Sequence, residues 1–198
     1  MTELRVPEGV QFDEKGLVPV ILQHADSGEI LTLAWGNAES LTRTAASGET
    51  WLYSRSRSEL WHKGATSGHT QTVLTMATDC DRDAVVYSVR PAGPACHTGA
   101  RSCFEGIAPT LRALSDRLEA RAATSPEGSY TSRLLSSQNL RLKKLGEEAT
   151  ELALACAIGD DDEVAGESAD LLYHMMVALL ARGLSLDEVA RVLRQRMA

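Results

Sequence analysis

The sequence predicts two domains: a β-rich mixed α+β domain followed by an all-α helical-bundle domain. Three observations lead there. All three tryptophans (Trp35, Trp51, Trp61) and both phenylalanines lie at or before Phe104, whereas the sequence beyond it is rich in Leu, Ala, Glu and Arg, which favour helix. Before Phe104, short β-branched and aromatic runs are separated by turn residues. After it, apolar residues recur at helical spacing. The boundary falls within 105–108 and gives domains 1–106 and 107–198, and a chain of 198 residues is long enough to give each a core.

Strands are expected at Leu17–Leu22, Ile30–Trp35, Thr50–Ser54, Gln71–Thr78 and Ala84–Val89. One helix is expected between the second and third, with Asn37 as its cap, Ala38–Ala46 as its body and Gly48 as its stop. In the second half Pro109 opens a helix to about Ala122, and Pro126-Glu127-Gly128-Ser129 turns the chain into a short segment around Tyr130–Leu135. Two longer helices follow, with stripes Leu145, Ala149, Leu152, Cys156 and Leu172, Met176, Leu179, Gly183 that should pack together. Ser185 and Glu188 form a capping-box pattern that starts a last helix through about Arg194.

Composition excludes several functions. The 20 Lys+Arg against 27 Asp+Glu leave a net charge of -7 with no basic block, so nucleic-acid binding is not expected. No apolar run approaches the roughly 20 residues that span a bilayer, and the first ten residues lack an apolar signal core. A soluble, cytoplasmic protein is expected.

The first chemical constellation is Asp79-Cys80-Asp81-Arg82-Asp83, then Cys96-His97, then Cys103. Three thiolates suit zinc, and three protein ligands leave a fourth position for water, as catalytic sites do. The alternative is three buried cysteines, because the spacings of fifteen and six intervening residues lack a Cys-x-x-Cys knuckle. His97 adjoins Cys96 too closely to converge easily on the same ion and is read as a proton-transfer group. In an extended strand Asp79, Asp81 and Asp83 would project to one side and Cys80 to the other, placing hard oxygen ligands for magnesium beside a soft one. A solvated turn is the bland reading of those acids.

The segments Gly16–Ile21, Tyr53–Gly64, Thr66–Gln71, Asp79–Asp83, Ala95–Gly99 and Ser102–Phe104 closely resemble phosphoribosyl-AMP cyclohydrolase of histidine biosynthesis. The resemblance implies hydrolytic opening of the adenine ring of phosphoribosyl-AMP by zinc-activated water. It further implies Zn²⁺ on Cys80, Cys96 and Cys103, Mg²⁺ on Asp79, Asp81 and Asp83, and zinc ligands drawn from both subunits of a homodimer. His97 is the candidate proton shuttle, and Arg55, Arg57 and Lys63 are candidate phosphate partners, although each could be a solvated surface charge. His62 is read as a surface residue. His69 stands where that family often has Asn.

The second constellation is Lys144-Leu145-Gly146-Glu147-Glu148-Ala149-Thr150-Glu151, then Glu167-Ser168-Ala169-Asp170 and His174. Glu148 with Glu151, and Glu167 with Asp170, each project from one helix face one turn apart, and facing each other they would form a four-carboxylate magnesium cage. A solvated acidic face is the alternative. Leu171, Leu172, Met175 and Met176 beside them indicate a buried seam, where unpaired charge is costly. Asp160–Glu163 is read as a helix-start cluster favoured by the dipole.

This half, over about Pro109–Arg194, is similar to phosphoribosyl-ATP pyrophosphohydrolase. The match is carried by Ser129-Tyr130-Thr131, Lys144–Glu151 and Glu167–His174. The acidic pattern alone marks a broader group of helical nucleotide pyrophosphohydrolases, and a house-cleaning triphosphatase joined to a zinc module is the rival reading. By resemblance, Mg²⁺ on Glu148, Glu151, Glu167 and Asp170 would bind the triphosphate of phosphoribosyl-ATP. Glu147 is the candidate acceptor of the water's proton, and Arg133 and Lys144 are candidate phosphate partners, although each could equally be a helix-surface charge. The whole chain is then expected to be a bifunctional enzyme whose second half acts first.

Overall fold

The computed structural model describes residues 4–197. The chain divides into two compact units, Met1–Pro109 and Thr110–Ala198. The first is strand-rich α+β and the second all-helical, the two classes expected from sequence.

The N-terminal unit contains β1 (Val18–His24), β2 (Ile30–Gly36), α1 (Ala38–Ser47), β3 (Trp51–Ser54), β4 (Glu59–His62), β5 (Gln71–Thr78) and β6 (Val85–Pro91). Four strands form a sheet in the order β2-β1-β6-β5, and β3 and β4 form a separate hairpin. β1 runs parallel to β6, with Val20 opposite Val85, whereas the β1–β2 and β5–β6 pairs are antiparallel. Alternation places Val18, Val20 and Leu22 of β1 and Val85, Tyr87 and Val89 of β6 on one buried face. Leu31, Leu41, Leu52 and Val73 complete that core. Helix α1 begins on a capping box, with the Asn37 side chain accepting from the Ser40 N–H at 2.8 Å, and ends at Gly48 with φ 71.

Two expectations change here. Strand β4 was not anticipated, because Glu59-Leu60-Trp61-His62 is short and carries charge; it forms by pairing with β3, Trp61 opposite Leu52. Asp79–Asp83 is not a strand but the turn between β5 and β6, with Arg82 at φ 66. Strand alternation therefore does not arrange its carboxylates. The turn itself brings them together.

The C-terminal unit contains α2 (Thr110–Thr124), α3 (Tyr130–Ser136), α4 (Gln138–Ile158), α5 (Asp161–Leu180) and α6 (Leu186–Met197). Ser129, Ser137 and Asp160 cap α3, α4 and α5 through side-chain oxygens. Leu118, Leu134, Met176 and Val177 form the buried core, and α4 packs along α5. On α4 the expected stripe is displaced. Ala149 and Cys156 are exposed, while the buried positions are Glu148 and Ala155. The buried face of α4 carries a carboxylate, so apolar periodicity misplaces it.

Candidate functional site

In the β5–β6 turn, carboxylate oxygens of Asp79, Asp81 and Asp83 lie within 4.8 Å of one another, and all three residues are exposed. The Ala84 N–H donates to Asp79 Oδ1 at 3.1 Å and holds that carboxyl below its ordinary range. Repulsion from Asp81, then desolvation, then Asp79 push Asp83 upward. A divalent cation would relieve that repulsion with hard oxygen donors. The N-terminal segment steadies the turn. The Gln11 N–H donates to the Arg82 carbonyl at 2.8 Å, and Gly9, at φ 74, lies so close that a Cβ there would fall 2.2 Å from Arg82 Nη1.

Cys96 sits in a tight loop closed by Cys96 N–H to Ala100 O at 3.0 Å and Gly99 N–H to Cys96 O at 3.2 Å. The Thr98 hydroxyl donates to Cys96 Sγ at 3.2 Å, and this bond is the largest of several that hold the Cys96 thiol below its usual pKa. His97 Nδ1 is 3.9 Å from the same sulfur. Cys103 is fixed by its N–H to Leu31 O at 2.8 Å, and Thr32 Oγ1 lies 2.6 Å from its Sγ. The loop is riveted to β2 by the Arg101–Glu29 ion pair at 2.7 Å, with the Glu29 side chain 5% exposed, and by the Ser102 hydroxyl on Ile30 O at 2.8 Å. Cys103 contributes to the lowering at Cys96, so these two thiols are neighbours. Among the described residues, Cys80 does not join them in a metal-sized group. Sulfurs with hydroxyls against them that can donate to a thiolate suit zinc, whose ligands need such outer partners. Neither Thr32 nor Thr98 was given a role from the sequence; Thr98 lies within the Ala95–Gly99 segment, whereas nothing distinguishes Thr32 from other threonines.

The expected phosphate partners are divided between two clefts. Arg55 and Arg57 line one of about 980 Å³, and Lys63 lines another of about 340 Å³. The Arg55 guanidinium lies 4.5 Å from the centre of the Trp35 ring, and Arg57 pairs with Glu59 at 3.0 Å. Lys63 Nζ donates to the Ala95 carbonyl at 2.6 Å, so one of its donors braces the Cys96 loop. His62 is not the surface residue expected. It stacks on Trp51 at 4.9 Å, and its Nε2 is 2.8 Å from a Glu49 carboxylate oxygen. His69 packs against Gly93, where a Cβ would come within 2.6 Å of the imidazole.

In the C-terminal unit, α4 and α5 bring Glu148, Glu151 and Glu167 within 4.8 Å of one another. Glu148 is 5% exposed. Asp170, one turn beyond Glu167, is exposed and lies outside that trio. Lys144 Nζ bonds Glu147 at 3.0 Å and Glu148 at 3.1 Å, which lowers the Glu147 carboxyl and raises the ammonium. Burial, then Glu148 and Glu167, push Glu151 upward. Buried His174 places Nε2 3.5 Å from Glu148, with its own pKa lowered chiefly by burial. Around it, Tyr173 lies edge-on at 5.2 Å and Tyr130 at 5.9 Å, and Thr131 Oγ1 meets the Tyr173 hydroxyl at 2.8 Å. Arg133 sits 5.9 Å from the Tyr130 ring. Three carboxylates gathered this closely, with Glu151 pushed upward, could hold a hard cation of the kind that binds phosphates.

Family models agree with this division. The phosphoribosyl-AMP cyclohydrolase model matches residues 32–105 and the phosphoribosyl-ATP pyrophosphohydrolase model residues 111–197. A histidine biosynthesis bifunctional protein HisIE of Halalkalibacterium halodurans is 48% identical, the match covering 96% of each chain. The chain belongs to the HisIE family. HisIE proteins of Bacillus subtilis and Thermus thermophilus are each 46% identical, over 98% and 94% of this chain and 97% and 92% of theirs. As a HisIE chain it combines a cyclohydrolase and a pyrophosphohydrolase of histidine biosynthesis, and both families are metal-dependent. Among the described residues no helix is long and apolar enough to cross a membrane.

Proposed function

We propose that residues 107–198 cut phosphoribosyl-ATP to phosphoribosyl-AMP and pyrophosphate, and that residues 1–106 then open the adenine ring, each with the metal set expected from sequence. The observation that carries this assignment is the presence of two separate carboxylate trios, one in each unit. Glu148, Glu151 and Glu167, with Asp170 as fourth carboxylate, would hold Mg²⁺, which neutralises phosphate charge when bound. Glu147, kept ionised by Lys144, accepts the proton of the attacking water. Lys144 and Arg133 contact phosphate oxygens.

In the first unit Cys80, Cys96 and Cys103 would hold Zn²⁺, which supplies a nucleophile at neutral pH when bound. Asp79, Asp81 and Asp83 would hold Mg²⁺. His97, beside Cys96, takes up a proton as water adds to ring carbon six and returns it to ring nitrogen one as the bond between them breaks. Arg55, Arg57 and Lys63 hold the substrate. Among the described residues Cys80, Cys96 and Cys103 form no metal-sized group within one chain, which is in keeping with a homodimer in which one subunit provides Cys80 and the other the remaining pair. Exposed Leu142, Leu154, Ile158 and Leu193 on the helical unit also favour self-association.

The test is incubation of zinc-loaded protein with phosphoribosyl-ATP and Mg²⁺, following pyrophosphate and ring-opened product by chromatography and mass. Wild type is expected to form both, Cys96→Ala to stop at phosphoribosyl-AMP, and Glu148→Ala to leave phosphoribosyl-ATP uncut. Wild type of verified metal content that releases no pyrophosphate and leaves supplied phosphoribosyl-AMP closed would sink the assignment.

A further inference from the structure

The two clefts of the N-terminal unit share a wall. Trp61 and His97 line both the cleft of about 980 Å³, which contains Ser54, Arg55, Ser56 and Arg57, and the cleft of about 340 Å³, which contains Thr66, Ser67 and Cys96. Both volumes fall in the range of small-molecule sites. The cyclohydrolase substrate has a matching form: a purine with two arms, each a ribose ending in phosphate, one on ring nitrogen one and the other on ring nitrogen nine. We propose that the base lies at the Trp61–His97 divide, with the nitrogen-nine arm in the arginine cleft and the nitrogen-one arm in the Thr66–Ser67 cleft.

The chemistry of ring opening sets the direction. The bond that breaks joins carbon six to nitrogen one, so the sugar on nitrogen one begins next to the reacting carbon, while the sugar on nitrogen nine leaves from the far side of the purine. Cys96 lines only the smaller cleft of the two, and a reacting carbon beside it starts the nitrogen-one arm there. The polar groups fit this division. The Arg55 guanidinium carbon lies 4.5 Å from the centre of the Trp35 ring, and its N–H groups are of the kind that donate to phosphate oxygens. Ser54 and Ser56 hydroxyls stand 3.4 Å apart beside it. In the smaller cleft Thr66 and Ser67 are exposed hydroxyl residues, and Lys63 has spent one of its three donors on Ala95. Half-buried Trp61 offers an indole to the base between them.

This inference rests on the cyclohydrolase reading, and AMP, which carries only the nitrogen-nine arm, separates the two. All tryptophans lie in the N-terminal unit, two of them on the cleft walls, so indole fluorescence excited beyond the nucleotide absorbance reports AMP binding to this unit alone. In the full-length zinc-loaded chain, Arg55→Ala with Arg57→Ala is expected to weaken AMP binding about tenfold or more and to raise KM for phosphoribosyl-AMP alike. Thr66→Ala with Ser67→Ala, at exposed positions that do not threaten folding, is expected to raise KM for phosphoribosyl-AMP several-fold and leave AMP affinity unchanged. The proposal is overturned if the threonine–serine variant loses AMP affinity, if the arginine variant retains it, or if wild type binds no AMP at millimolar concentration. Wild type that fails to open supplied phosphoribosyl-AMP rejects the cyclohydrolase reading itself, and this inference with it.

Discussion

Two threonine hydroxyls stand against two candidate zinc sulfurs, Thr98 on Cys96 and Thr32 on Cys103. Each can donate to a thiolate, fixing its direction and favouring the charged form. Replacing Thr32 by Val removes that donor with little change of shape, and zinc affinity, read by chelator competition, is expected to fall about 10-fold or more while Thr32→Ser retains most of it. Cys96 gives a pH test. Because its pKa is lowered, chiefly by Thr98, its thiolate persists to lower pH than an ordinary cysteine's. In metal-free protein, site-resolved alkylation should therefore have its midpoint at lower pH in wild type than in Thr98→Val; identical midpoints would remove the hydroxyl from the account. The candidate ligands could be named from the sequence because clustered Cys, His and paired acids are the side chains that offer metal donors. Thr32 was not legible, since 71 residues separate it from Cys103 and only the fold makes them neighbours.

At the scale of elements, the strands and helices that follow strict periodicity were readable, and the misread ones fail for identifiable reasons. β4 draws its stability from pairing with β3 rather than from its own composition. The Asp79–Asp83 segment bends because Arg82 takes a left-handed conformation, and its geometry depends on the chain passing over it at Gly9 and Gln11. Gly9→Val introduces a branched side chain where φ is positive and where a Cβ meets Arg82. Mg²⁺ affinity of the turn is expected to fall several-fold, measured by Mn²⁺ titration, whereas the Glu148–Glu167 cluster keeps its affinity. The stripe on α4 was misplaced because the helix buries Glu148 rather than its most apolar face. Core packing in that unit rests instead on residues such as Leu118 and Leu134. Leu134→Ala should cost about 2–5 kcal/mol in denaturant unfolding of the helical unit.

For the molecule as a whole, a zinc site shared between subunits makes a quantitative forecast. Cys80→Ser and Cys96→Ser proteins are each expected to be inactive in ring opening, yet after unfolding and refolding together their heterodimers would contain one intact site and one doubly damaged site. With random assembly about one quarter of wild-type ring-opening activity should return; no recovery from refolded, dimeric mixtures would place all three cysteines in one chain's site. The loop carrying Cys96 and Cys103 has another consequence. β2 is an edge strand of its sheet, and at its first residues Ser102 and Cys103 bond the carbonyls of Ile30 and Leu31. Such carbonyls, left open, are templates for pairing with foreign strands. The same peptide that presents the sulfurs is therefore a guard against aggregation: a chain whose loop has come loose would expose sticky backbone, tying the solubility of the protein to the integrity of its chemistry.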